Sequence, residues 1–234
     1  RRLVEHRTGP FRVTRTNIKR WLGPEDYPEE EMRAHPAVGV STGMARSAAG
    51  GTILFIEAIT VKGNGKLKLT GSLGDVMKES AEAALSFVKS RYAGELAVSD
   101  FFGAYDIHLH VPAGAVPKDG PSAGVAIATA LASLALDEEV RNDVAMTGEV
   151  TLTGNVLPVG AIKEKVIAAH RAGIREIILP RLNEKDVEEI PKRIMKGMRF
   201  RFIDRIDEGI ALALATGSAR KRRVANGRRR HARA

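Results

Sequence analysis

Pro117-Lys118-Asp119-Gly120-Pro121-Ser122-Ala123-Gly124 stands directly before the run Ser122 to Leu136, which is rich in Ala and Leu and apolar nearly all round. A helix without a polar face is a buried one. The run therefore reads as a central core helix, and the octapeptide as the junction that leads into it. On the plainest reading Asp119 or Ser122 is an N-cap. Gly120-Pro121, however, sets an unusual approach of the backbone, and Ala123-Gly124 are expected to leave open space beside the serine, which a cap does not need. A serine at a helix start also lies among unpaired backbone N–H groups and the positive end of the helix dipole. That is where an oxyanion is stabilised.

Outward from this junction, strands and helices interleave irregularly. Upstream, Asp106 to Val111 alternates as a strand, and residues 75–92 carry Met77, Ala81, Ala84 and Val88 at helical spacing. Val38-Gly39-Val40, Thr52 to Val61 and Lys66 to Thr70 read as strands, with Gly63-Asn64-Gly65 closing a hairpin or meander. Downstream, Val144 to Thr151 and Gly154 to Val159 read as strands, and Ala161 to Ala172 as a helix ended by Gly173. Arg175 to Leu179 is a strand closing at Pro180; Asn183 to Glu189 and Ile206 to Thr216 are helices. There is no internal repeat, and the mixture predicts a compact α/β or mixed α+β domain rather than a sandwich. At the front, Phe11-Arg12-Val13 reads as a short strand and Thr16 to Leu22 as a helix stopped by Gly23-Pro24. An acidic, Pro-punctuated linker over 24–37 follows. The chain opens at Arg1 without Met and in mid-pattern, so upstream sequence is expected.

Composition narrows the function. With 234 residues, 44% hydrophobic and 28% charged, the chain is an ordinary globular one. No apolar run approaches the ~18 residues of a membrane span. The absence of Cys excludes disulfides, thiolate zinc sites and a cysteine nucleophile. The net charge of +9 and a pI near 10.0 suggest nucleic acid, but the charge is uneven. Residues 220–234 hold eight basic and no acidic side chains, and residues 1–23 hold seven basic and one acidic, which leaves −5 for residues 24–219. The body is acidic and only its ends are basic.

A nucleophilic serine needs a base, because its hydroxyl is a poor nucleophile at neutral pH. His108, His110 and a suitably placed lysine are candidates. Lys163 lies in the first turn of the helix that follows Pro158-Val159-Gly160, where the dipole repels a cation, and Ile167 shares its face at i+4. Together with burial these effects lower an ammonium pKa. His108 and His110 alternate on one strand, yet without Cys or a third ligand they read as hydrogen-bonding residues rather than a metal site. Glu57 and Glu149 sit on apolar strands, where a buried charge needs a partner. Gly63-x-Gly65-Lys66 lacks the earlier Gly of a P-loop, so no phosphate cradle is expected.

Together, Gly71-Ser-Leu-Gly-Asp-Val-Met-Lys-Glu-Ser80, His108-Leu-His-Val-Pro112, the serine octapeptide, Met146-Thr-Gly-Glu-Val150 and Leu157-Pro-Val-Gly-Ala-Ile-Lys-Glu-Lys165 resemble, in order and spacing, the proteolytic domain of bacterial-type Lon proteases. The resemblance covers about Val38 to Thr216. It implies a Lon-protease-like α/β domain over 38–216, built of small mixed sheets and several helices. Residues 1–23 would be the end of the ATPase module's helical subdomain, 24–37 a linker, and 217–234 a basic disordered tail. It further implies a serine endopeptidase with a Ser–Lys dyad, Ser122 as nucleophile and Lys163 as base, and Glu57, His110, Asp119, Thr147 and Glu149 around them in supporting or gating roles. Thr147 would orient the lysine. ATP and Mg would bind in an upstream ATPase module, with no cofactor and no metal in this stretch. The whole protein would be a cytoplasmic hexameric ring acting in protein quality control and stress response, degrading unfolded, damaged and short-lived regulatory proteins. Ala161 stands where many family members have a second Gly, and the basic tail from Arg220 has no counterpart in the family pattern. Two other readings remain at this point: a non-proteolytic scaffold of the same fold, and DNA or polyanion binding through the tail.

Overall fold

Thr52 to Val61 alternates buried and exposed side chains for most of its length and forms the spine of the molecule. The structure is a computed structural model that describes residues 14–23, 33–47, 50–92, 101–112 and 118–215. The expected strand over 11–13, most of the linker over 24–37 and the tail over 217–234 lie outside the described residues. Helix α1 (Arg15–Leu22) ends at Gly23, whose φ of 91° suits glycine. After it come β1 (Ala37–Val38), β2 (Val40–Ser47), β3 (Gly50–Lys62), β4 (Leu67–Thr70), α2 (Asp75–Tyr92), α3 (Phe101–Ala104) and β5 (Tyr105–His110). A 3-10 turn, Pro121–Ala123, leads into α4 (Gly124–Leu136). Then follow β6 (Glu139–Val140), β7 (Val144–Met146), β8 (Glu149–Val150), β9 (Val156–Leu157), α5 (Ile162–Arg171) and β10 (Glu176–Pro180). A 3-10 segment, Arg181–Glu189, leads on to α6 (Lys192–Met195), β11 (Arg199–Ile203) and α7 (Ile206–Ala213).

The main sheet has seven strands in the order β11-β10-β7-β2-β3-β5-β4. The β11-β10-β7-β2 half is parallel; β2/β3 and β3/β5 are antiparallel, and β4 runs parallel to β5. Helices α2, α4 and α7 cover one face, and α5 with the 3-10 segment covers the parallel half of the other. Fully buried aliphatics such as Ile127, Leu131, Leu109 and Ile178 carry the first layer, each contributing about 1.5–3 kcal/mol by leaving water. On the second face no described helix covers β5, β4 or the end of β3, and Ile59 and Val61 are exposed there.

Two expectations change. Gly63-Asn64-Gly65 joins β3 to β4, but these strands do not pair, because β5 lies between them. The turn wraps the Asp106 carboxylate instead: Asn64 N–H (2.9 Å) and Lys66 N–H (2.8 Å) both donate to Asp106 Oδ1. The hairpin is β2/β3, and Ser41 to Ser47 lacks the β-branched pattern that marks a strand. Its small residues serve packing, since a methyl on Gly43 would lie 3.4 Å from Ala126 Cβ on α4.

Candidate active site

Ser122 lies in the 3-10 turn, with Pro121 at its first position and Gly120 before it at φ 120° and ψ 154°. Its carbonyl accepts two hydrogen bonds, from Gly148 N–H and from Thr147 Oγ1, both at 2.9 Å. Val125 N–H donates in turn to the Gly148 carbonyl at 3.0 Å. The serine turn and Thr147-Gly148 are therefore clipped together in both directions. The space expected beside Ser122 is filled: a Cβ on Gly124 would come 3.0 Å from Val150 N and 3.2 Å from Ser80 Oγ. Glycine is needed there so that α4 can approach β8 backbone to backbone.

From the other side the turn is stapled to the start of α2. Lys118 N–H donates to Ser72 O (3.0 Å), Gly74 N–H to Lys118 O (2.7 Å) and Lys118 Nζ to Gly71 O (2.7 Å). Asp119 Oδ1 accepts Met77 N–H (3.0 Å) and Gly120 N–H (2.9 Å). Asp119 thus satisfies a free donor of the first turn of α2, a different helix from the one it precedes in sequence.

The lysine that meets this assembly is Lys165. Ile162, Lys165, Val166 and Ala169 form the inward face of α5 at the i, i+3, i+4, i+7 spacing of a buried stripe. Lys165 is 3% exposed. Its Nζ donates to Thr147 Oγ1 at 3.0 Å, the hydroxyl that donates to the Ser122 carbonyl. Two hydrogen bonds through one side chain thus separate the ammonium from the serine. Burial lowers the Lys165 pKa to about 8, because a low-dielectric site disfavours the charged form.

Lys163, the base expected from the sequence, does not reach this assembly. Lys163 is exposed, since two residues along a helix turn a side chain by about 200° at 3.6 residues per turn. Ile167, offered as its apolar neighbour, is only half-buried and flanks the core face. The signal that would have found Lys165 is a single lysine interrupting the Ile162, Val166, Ala169 stripe.

A family model for the Lon protease (S16) C-terminal proteolytic domain matches residues 12–216. The chain belongs to the Lon proteolytic-domain family. It is 51% identical over 218 residues to Lon protease 2 of Thermus thermophilus, covering 93% of this chain and 27% of that protein. To the Lon protease of Aquifex aeolicus it is 54% identical over 208 residues, covering 88% and 26%; to that of Geobacter metallireducens it is 51% identical over 216 residues, covering 92% and 26%. The chain spans about a quarter of the length of these Lon proteases.

Of the other residues that the Lon resemblance gathers around the serine, Thr147 is buried and central. Glu149 follows on β8, half-buried and opposite Leu157 of β9. Glu57 is exposed on β3, opposite His110 of β5, on the part of the sheet that no described helix covers. Thr70 Oγ1 lies 2.7 Å from His110 Nδ1 and 2.9 Å from His108 Nε2, so both histidines are engaged in hydrogen bonds on that face. Among the described residues neither Glu57 nor His110 touches Ser122 or Lys165, and no group of three His, Asp or Glu side chains is placed to hold a metal ion. No described helix is long and apolar enough to cross a membrane.

Proposed function

We propose that this Lon proteolytic domain hydrolyses peptide bonds through an acyl-enzyme, with Ser122 as nucleophile and Lys165 as general base. The observation that carries the reading is the buried Lys165 ammonium, held by Thr147 against the serine turn and lowered to about 8. A lysine in this range supplies enough neutral amine near neutral pH to take the Ser122 proton. The serine oxygen then attacks the scissile carbonyl. The N–H groups of Gly124 and Val125 are bonded to Pro121 O and Gly148 O, so the oxyanion falls to the backbone N–H groups earlier in the serine turn. Lys165 returns the proton to the leaving amine and then activates water for deacylation. Thr147 restrains the ammonium without a charge that would stabilise it.

Within the whole protein, an ATPase module upstream would use ATP and Mg to deliver unfolded or damaged polypeptides into a cytoplasmic hexameric ring, and residues 1–23 would close that module's helical subdomain. A scaffold role would not require a lysine buried at this cost.

The test is cleavage of an unfolded protein by the full-length polypeptide, alongside phosphonylation of the 234-residue chain by a fluorophosphonate, read by intact mass. Ser122→Ala and Lys165→Met are each expected to abolish both, a loss of at least about a thousandfold, in line with removal of a nucleophile or its base. Wild-type rates in either variant would overturn the assignment.

A further inference from the structure

We propose that Asn183 is a positioning residue for Lys165, holding through Val159 the left-handed turn from which the lysine-bearing helix starts; this rests on Lys165 being the base. Asn183 lies in the 3-10 segment after β10 and is 3% exposed. Its Oδ1 accepts Val159 N–H at 2.9 Å, and its Nδ2 donates to Val159 O at 2.9 Å and to Asp186 Oδ2 at 2.5 Å. One buried amide therefore grips both backbone groups of a single residue, as a neighbouring strand would. The bond to Asp186 sets which way the amide faces.

Two residues beyond the grip, Ala161 adopts φ 61° and ψ 36°. A residue with a Cβ pays about 1–2 kcal/mol for that conformation and keeps it only where its surroundings over-determine it. Helix α5 has no side-chain cap at this end, and its Lys165 N–H bonds to the Ala161 carbonyl at 3.1 Å. The direction of that carbonyl, and with it the first turn of α5, follows the Ala161 dihedrals. Gly160 is exposed, and a Cβ added there would meet nothing within 4 Å, so no side-chain packing holds the turn at this position. The fixed points of the turn are Val159, gripped by Asn183, and Ile162, buried at 3% exposure. Without the grip, Ala161 relaxes toward the right-handed region, the start of α5 shifts, and water reaches the Lys165 ammonium.

The experiment follows the pH dependence of Ser122 phosphonylation by a fluorophosphonate in the 234-residue chain, with thermal melting measured in parallel. The wild-type rate should rise through a limb near pH 8, the value that burial gives Lys165. In Asn183→Ala the limb should move up by about one unit toward the ordinary lysine value of 10.5, and the rate at pH 7 should fall about tenfold. Asn183→Asp, made together with Asp186→Asn so that two carboxylates do not meet, keeps the acceptor for Val159 N–H but loses the donor to Val159 O. It should shift the same way by a smaller amount, and it decides the matter if the alanine variant does not fold. Adding Ala161→Gly to Asn183→Ala should recover at least half of the logarithmic loss, because glycine adopts the left-handed turn without strain.

A limb that stays in place in both Asn183 variants while only the melting temperature falls overturns the proposal, as does failure of Ala161→Gly to restore the rate. The base assignment fails separately, through an absent wild-type limb or a Lys165→Met chain that reacts at the wild-type rate.

Discussion

Lys165 and Glu176 are equally buried, each 3% exposed, yet their surroundings are opposite. Glu176 begins β10 beneath three arginines: Arg141 and Arg201 reach it at 3.0 Å and Arg199 at 3.1 Å. Burial pushes its carboxyl up, but hydrogen bonds from Arg141, Arg201 and Arg199 outweigh that and hold it near 2. Among the described residues Lys165 meets a single hydroxyl, burial acts unopposed, and its ammonium sits near 8. A buried charge that only supports the fold is neutralised by partners. Where the proposed chemistry calls for a neutral amine, no described residue supplies a counter-ion, and the cost in stability remains.

Giving Lys165 a counter-ion should break the contrast most sharply. Thr147→Asp places a carboxylate against Nζ, raises the lysine pKa by two units or more and should lower the phosphonylation rate at pH 7 about a hundredfold, with the limb moved out of the range near 8.

Removing the amine should expose its cost. The charged form is disfavoured only in the fold, so the penalty is complete below pH 8. It shrinks between pH 8 and 10.5, where the folded state releases its proton before the unfolded one, and it vanishes above. Lys165→Met is therefore expected to raise stability by about 2–3 kcal/mol at pH 7, at 1.36 kcal/mol per unit, and by much less at pH 10.5. Urea unfolding at the two pH values checks this.

At the other pole, Glu176→Gln leaves the arginines without their shared partner. It should cost about 2 kcal/mol, below the usual range for a broken buried pair because the arginines are partly in water, with Ser122 reactivity unchanged per folded molecule. In the wild type the Glu176 contribution is present above its unfolded value of 4.5 and is lost as pH falls through about 2. Acid unfolding monitored by circular dichroism, wild type against Glu176→Gln, should show the two curves converging there. The smallest effect belongs to Lys163→Ala, which should stay within about 0.5 kcal/mol in stability and within twofold in phosphonylation rate; a large loss would restore Lys163 to the site.

Most of the elements were legible because their hydrophobic periods are strong. The α2 spacing of Met77, Ala81, Ala84 and Val88 marks that helix, and α4, apolar nearly all round, marks the core. For β11 the signal is short, the period-two alternation of Arg199-Phe200-Arg201-Phe202. β2 offered no such pattern, because Ser41, Gly43 and Ala45 answer to helix packing rather than to strand propensity. Pairing order was not legible either: the Gly63-Asn64-Gly65 turn looks like a hairpin until Asp106, far along the chain, fills it.

By itself the sequence determined the family and the two stretches that meet at the candidate site, because Ser122 lies in a motif whose neighbours along the chain set its backbone. Only the tertiary structure decided which lysine meets the serine turn. Lys163 and Lys165 differ by two positions and thus by half a turn, and what separates them is a sheet face, the Thr147 hydroxyl and the exclusion of water, all brought to α5 from distant parts of the chain.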